Sequence, residues 1–288
     1  MKKNNNKLNF VFFGTPDVAS ETLEILKTNG YLPSLIVTSP DAKKGRGLEM
    51  TASPVSVFAE ENYIDCLKPE KLDAENFCGE QNIPDLFLVV AYGKIIPEEI
   101  LNIPRLSSIN IHYSLLPKYR GASPVESAIL NGDTVTGVTI QQMAYKMDSG
   151  PIIAQEKVEI LPTEKAPELR KRLIKLGGEL MIKILKTPSA DGHSPLTGGE
   201  KQDESQATFC KKIKKEDGLL DLNGNAVKNY NKFRAYAFWP RTFFFKDGKR
   251  IIITDATLED NKFVIKKVLP EGKKEIKYED FVKTSISK

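Results

Sequence analysis

Cysteine is scarce in this 288-residue sequence. There are three, Cys66, Cys78 and Cys210, far apart and without a CxxC pair. So odd and dispersed a set argues against a disulfide framework and against a zinc site, and it fits reduced thiols in a cytoplasm. Histidine is scarcer still, at two. No apolar run approaches the roughly 18–20 residues of a membrane helix. The basic opening Met1–Lys7 leads into an apolar stretch that stops at Gly14, a lead-in to a strand rather than a signal peptide. The P-loop pattern G-x-x-x-x-G-K-[ST] is missing. So is G-x-G-x-x-G: the first apolar run ends in Gly14-Thr15-Pro16-Asp17, which weighs against a bound NAD or FAD. There is no internal repeat.

What is present is an ordinary globular composition, 40% hydrophobic and 28% charged, with 42 basic against 38 acidic residues. The net +4 is unevenly spread. Residues 205–288 hold 19 Lys and Arg against 11 Asp and Glu, a balance of +8, and the remainder carries −4. That asymmetry asks for an anionic partner of the last third.

The first 186 residues alternate strand and helix signals. Leu8–Phe13, Leu32–Thr38, Asp85–Tyr92, Ser107–His112 and Val135–Met143 read as strands. Leu86-Phe87-Leu88-Val89-Val90 is continuously apolar, as expected of a strand buried on both faces. Val18–Lys27 and Lys165–Lys186 have helical spacing, and Ser53-Pro54 offers a capping serine and a first-turn proline. The pattern predicts a Rossmann-like, doubly wound, mostly parallel α/β sheet over 1–186. A Pro-, Gly- and Ser-rich stretch at 187–206 reads as a linker. Beyond it, short β-like runs with turns at Asp247-Gly248 and Glu271-Gly272 predict a small, OB-like β-barrel over 207–288.

His193 lies in the linker and receives no role. His112 closes the run Ser108-Ile109-Asn110-Ile111-His112. Side chains alternate across a strand, so Asn110 and His112 share one face. Such a pair either closes the strand end by mutual hydrogen bonding or lines a ligand site at the carboxyl edge of the sheet. Spacing alone does not choose.

The residues that follow do. Asn110, His112 and Ser114-Leu115-Leu116-Pro117, with Met147-Asp148-Ser149-Gly150 some 36 positions after the histidine, resemble the signature of the 10-formyltetrahydrofolate-dependent formyltransferases. Tyr113 departs from it, and should face away from His112. Phe13–Asp17, Ser39-Pro40-Asp41, Gly45-Arg46-Gly47, Ser53-Pro54-Val55, Val90–Pro97 and Phe238-Trp239-Pro240 are similar to the branch that formylates methionyl-tRNA; the likeness weakens after about residue 245. The resemblance implies Asn110, His112 and Asp148 as the catalytic set, with Asn110 donating to an oxyanion, His112 handling a proton and Asp148 orienting the imidazole. It implies a tetrahydrofolate site at Ser114, Leu115, Leu116 and Pro117, with a cis Leu116-Pro117 bond. Backbone groups of Ala91, Tyr92 and Gly93 would meet the pterin, unless this is an ordinary strand-to-helix turn. No metal is needed for formyl transfer to an amine.

Relatives of this fold act on different amines. A glycinamide enzyme would end near residue 186. An amino-sugar N-formyltransferase, with its own small β domain, remains an alternative. Two features favour initiator methionyl-tRNA, and a two-domain enzyme acting on a single tRNA is expected as a monomer. The first is the loop 41–50 with Lys43, Lys44 and Arg46, which resembles the loop that grips the acceptor end; a solvated loop is the plainer account. The second is the cluster Lys211, Lys212, Lys214 and Lys215, placed to contact phosphates.

Overall fold

The apolar runs become strands of a single sheet. In the computed structural model, which describes residues 8–44, 47–77, 83–187 and 194–286, these are β1 (Phe10–Gly14), β2 (Leu35–Val37), β3 (Cys66–Leu67), β4 (Leu86–Val90), β5 (Ser107–His112), β6 (Val135–Gln142) and β7 (Ile152–Glu159). Their order is β7-β6-β5-β4-β1-β2-β3. From β3 to β5 all pairings are parallel, and β5 meets β6 antiparallel. Chain order reverses between β1 and β4, the kind of switch point at which open α/β sheets take ligands.

Both faces of the central strands are covered. Phe12, Phe13, Leu86, Phe87 and Val90 have no exposed surface. On one face Val11, Phe13, Phe87 and Val89 join Ile96 and Ile100 in one apolar cluster, with the Phe13 and Phe87 rings 5.0 Å apart. Helix α1 (Asp17–Thr28) follows β1. Helix α2 (Pro54–Glu61) begins as its sequence requires: Ser53 Oγ accepts from the Ser56 amide at 3.0 Å, and Pro54 takes the first turn. Helices α3 (Glu98–Leu101), α4 (Pro124–Leu130) and α5 (Ala166–Lys186) complete this part of the chain. Glycines bring α5 close to its neighbours. A Cβ on Gly177 would stand 3.0 Å from Ile111 of β5, and one on Gly178 would stand 2.8 Å from Ile25 of α1.

By proximity in space the chain forms two compact units that interleave in sequence. One comprises Met1–Arg120, Gly137–Glu156 and Leu173–Ala207; the other comprises Gly121–Thr136, Lys157–Arg172 and Thr208–Lys288. The second unit contains the antiparallel strands β8 (Phe243–Lys246), β9 (Lys249–Glu259), β10 (Lys262–Pro270) and β11 (Ile276–Lys277), joined in that order. Asp247 and Gly248 both have positive φ, as a two-residue hairpin turn demands. Helices α6 (Ala226–Ala235) and α7 (Tyr278–Ile286) pack on β10, burying Phe233, Val268 and Phe281 in a core of their own. Among the described residues no helix is long and apolar enough to cross a membrane.

The segment read as a loop after β2 holds paired structure: Ala42–Lys44 and Glu49–Thr51 form an antiparallel hairpin. Residues 194–207 belong to the unit of the large sheet. Leu196 is buried there, and Glu200 exchanges two backbone hydrogen bonds of 2.8 Å with Ile152.

The turn after β1 lacks a dinucleotide fingerprint, yet its glycine is under strict demand. A Cβ on Gly14 would stand 2.6 Å from the Cβ of Ala19 in α1 and 2.9 Å from the Val90 carbonyl oxygen of β4. Gly14→Ala is expected to destabilise the fold by about 1–3 kcal/mol through overpacking. Urea denaturation checks this; an unchanged midpoint would mean that α1 yields without cost.

Candidate active site

The register of β5 sets the site. Asn110 lies beside Val89 of β4 on one side and opposite Gln141 of β6 on the other, and His112 lies opposite Thr139. The strand's apolar residues Ile109 and Ile111 are fully buried. His112 ends the strand and is itself 6% exposed. Its Nε2 donates to the Tyr119 carbonyl oxygen at 2.9 Å. A carbonyl can only accept, so Nε2 carries the proton and Nδ1 is the nitrogen turned elsewhere. It faces Asp148, whose Oδ2 stands 3.7 Å away. That gap exceeds a hydrogen bond. The bond that fixes the ring therefore comes from the backbone of Tyr119, and the carboxylate stands opposite the remaining nitrogen.

Asp148 reaches this position from a turn beyond β6, in the left-handed region with φ 49°. Its Oδ1 accepts from Gln141 Nε2 at 2.9 Å. The half-buried Asn110 amide has no hydrogen-bond partner among the described residues and is free to donate. Tyr113 points away, as expected: its hydroxyl meets Thr22 of α1 at 3.4 Å, and burial pushes the phenol up from its ordinary range.

A cavity of about 390 Å³ opens beside Asp148, within the size range of small-ligand sites. Its walls are Lys94, Ile95, Ile96 and Leu101 on one side, and Gln141, Met143, Ala144, Tyr145, Met147 and Asp148 on the other. Ile95, Tyr145 and Met147 form an exposed apolar rim. Apolar walls with Gln141 and Asp148 as convergent polar groups suit a flat heterocycle with polar edges.

The residues expected to meet a folate lie outside that lining. Ala91 and Gly93 both have positive φ, so the backbone turns sharply there. The Tyr92 side chain is buried in the apolar cluster with Phe13, its hydroxyl without a partner among the described residues, and its carbonyl accepts from Thr15 Oγ1 at 3.1 Å. Ser114 is fully buried and donates to the Lys118 carbonyl at 2.6 Å. The Leu116-Pro117 bond is cis. Thr139 Oγ1 donates to the Ser114 carbonyl at 2.6 Å and accepts from the Leu116 amide at 3.1 Å and from Gln155 Nε2 at 2.8 Å. Leu115 and Pro117 are half-buried. The Ser114–Pro117 segment is thereby tied to β6.

The basic residues divide between the two units. Lys43 is exposed on the hairpin, Lys44 is in the same strand, and Arg46 lies outside the described residues, as do His193 and Cys78. Lys211, Lys212, Lys214 and Lys215 are all exposed. Among the described residues no three His, Cys, Asp or Glu side chains gather as a metal cluster.

Sequence reasoning missed Tyr119 and Gln141. Gln141 carried a signal, as a polar residue near the end of an otherwise apolar strand. Tyr119 acts through its carbonyl, which no sequence marks.

The formyl transferase family matches residues 7–185, and the formyl transferase C-terminal domain matches residues 212–264. The chain is 41% identical over 258 residues to a methionyl-tRNA formyltransferase of Thermotoga neapolitana, covering 87% of this chain and 80% of that protein. It is 39% identical over 246 residues to the enzyme of the same name from Geobacter metallireducens, covering 85% and 78%. Among solved structures, the methionyl-tRNA formyltransferase of Clostridium thermocellum superposes with a TM-score of 0.58 at 17% identity, covering 94% of this chain and 99% of that one. An N-formyltransferase of Helicobacter canadensis, solved with folinic acid and dTDP-3-aminofucose, gives 0.64 at 20%, covering 88% and 89%. At such identities the two structures speak for the fold alone, whereas the sequence relatives go further: the chain belongs to the formyl transferase family, in the group of the methionyl-tRNA formyltransferases.

Proposed function

We propose that the protein transfers the formyl group of 10-formyltetrahydrofolate to the α-amino group of initiator methionyl-tRNA, as a cytoplasmic monomer. The observation that carries this is the 41% identity to a protein of that name across 87% of the chain. The approach of His112 Nδ1 to Asp148, which lines an apolar cavity, supports it.

The chemistry asks three things of the protein. The amine attacks the formyl carbon, negative charge grows on the formyl oxygen, and the bond to N10 breaks as the amine loses a proton and N10 gains one. Asn110, with its amide uncommitted, donates to the charged oxygen. A donor of this kind is worth about 3 kcal/mol when it is aimed at the place where charge develops. His112 manages the proton at Nδ1, since Nε2 is committed to the Tyr119 carbonyl. Asp148 faces that same nitrogen and stabilises the ring when it takes the proton. The cavity from Ile95 to Asp148 holds the pterin out of water, and its size and apolar walls fit that group.

The tRNA is held through phosphates. Lys43, Lys44 and Arg46 are the residues we assign to the acceptor end, and Lys211, Lys212, Lys214 and Lys215 add sequence-independent contacts. The amino-sugar alternative shares the folate donor and is separated by the acceptor: charged initiator tRNA against nucleotide-linked amino sugars in one formylation assay. Formylation of the sugars with indifference to tRNA overturns the proposal.

Four further outcomes are expected. Asn110→Ala lowers kcat about 10²–10³-fold, the loss typical of one oxyanion donor, and Asp148→Asn collapses turnover while the melting temperature stays within a few degrees; near-parental turnover of the Asp148 variant contradicts the scheme. Arg46→Ala raises the KM for methionyl-tRNA far more than that for the folate donor, and Lys211→Ala with Lys212→Ala flattens the salt dependence of tRNA affinity by roughly 2 in log–log slope. Equal effects on both KM values, or an unchanged slope, count against these contacts.

A further inference from the structure

We infer that Gln202 is a positioning residue for the Asp148 carboxylate; this rests on the reading of Asp148 given above. Gln202 comes from the segment that composition marks as a linker, yet its amide sits at the hub of the site. Nε2 donates to the carbonyl oxygens of Asp148 at 2.8 Å and Gly150 at 2.7 Å, and has a longer contact of 3.3 Å with Gln141 Oε1. On the other side, Oε1 accepts twice from Arg120, from Nε at 3.1 Å and Nη2 at 2.7 Å.

This geometry leaves the amide one orientation. A guanidinium can only donate, so the oxygen of Gln202 must face Arg120 and its NH₂ must face the turn. The two N–H groups are then spent on carbonyls that bracket Ser149. Asp148 lies in the left-handed region, which a residue with a Cβ resists unless its surroundings hold it there. Gln202 clamps the backbone on either side of that turn. The longer contact of the same NH₂ falls on Gln141 Oε1, and the Gln141 NH₂ binds Asp148 Oδ1. With one carboxylate oxygen engaged, Oδ2 is the one directed at His112 Nδ1.

The anchor for the clamp is itself fixed. Arg120 is fully buried, and its Nη1 and Nη2 bind Glu204 at 3.1 and 2.7 Å. Glu204 also accepts from Lys146 at 2.9 Å, a residue of the same turn as Asp148. The hydrogen bond from Arg120, and then that from Lys146, hold the Glu204 carboxyl down to about 2. The counter-charge is therefore present across the working range of pH.

The test is a double-mutant cycle on the full-length protein with steady-state formylation of charged initiator tRNA. Gln202→Ala removes the clamp. Gln202→Glu keeps the shape and the pairing with Arg120, but sets an acceptor against two carbonyls. Both are expected to lower kcat by about 10²-fold, as a small misplacement of a reacting group does, with both KM values within about twofold of the parent. Adding Gln202→Ala to Asp148→Asn is expected to cost nothing beyond Asp148→Asn alone, because the clamp acts through that carboxylate. Parental kcat in Gln202→Ala, losses confined to KM, or losses that multiply in the double variant each overturn the inference. If Gln202→Glu does not fold, the same readouts on Gln202→Ala decide. Parental kcat in Asp148→Asn sinks the reading of Asp148 itself, whereas an impaired Asp148→Asn beside a normal Gln202→Ala sinks the positioning role alone.

Discussion

Strand β5 carries two polar side chains into an apolar sheet, and the site depends on how its neighbour accommodates them. Because β6 runs antiparallel, Gln141 falls opposite Asn110 and Thr139 opposite His112. Polar groups meet polar groups in a place where an unmatched one would cost the desolvation of its donors or acceptors. The same direction of travel sends the chain from Gln141 straight into the turn that holds Asp148. Register is then a chemical variable. A slip of one residue would turn His112 to the other face and break the set at once. The parallel strands on the far side supply rigidity, with Phe13, Phe87 and Val89 packed behind the strand ends.

The second organising element is a charge without water. Arg120 has no exposed surface, and a guanidinium so placed is tolerable only when its donors are matched and its charge is countered. Gln202 and Glu204 do both, and they are close together in sequence. The stretch around them is poor in large apolar residues, so ordinary hydrophobic packing supplies little to hold it. Leu196, the backbone pairing of Glu200 with Ile152, and the bonds of Gln202 and Glu204 tie it to the sheet. A segment that looks like a spacer by composition is thereby part of the unit that bears the site.

What was legible in the sequence follows from how local the physics is. The run Leu86–Val90 is apolar on both faces because the strand is buried on both faces, and it was readable for that reason. The cap at Ser53-Pro54 is a property of four residues and was readable too. The catalytic set needed the resemblance: two polar residues on one strand face are equally consistent with a closed strand end. Strand β7 escaped notice because it is an edge strand, half polar along its length and with no buried residue. Helix α6 escaped because Asn229, Asn231 and Arg234 are among its buried residues, so no apolar stripe marks it. The cavity walls escaped because Ile95, Tyr145 and Met147 look like misplaced core residues until the two separate turns that carry them are seen.

Thr139 fixes one wall of the site. A hydroxyl has one proton to give and two lone pairs to share. This one gives to the Ser114 carbonyl and receives from the Leu116 amide and from Gln155, so its bonding capacity is exhausted. One oxygen atom thus rivets the segment after His112 to the middle of β6, and that side of the site behaves as a fixed anvil. Adjustment to an incoming substrate falls to the exposed side chains of Ile95, Tyr145 and Met147 at the rim of the cavity.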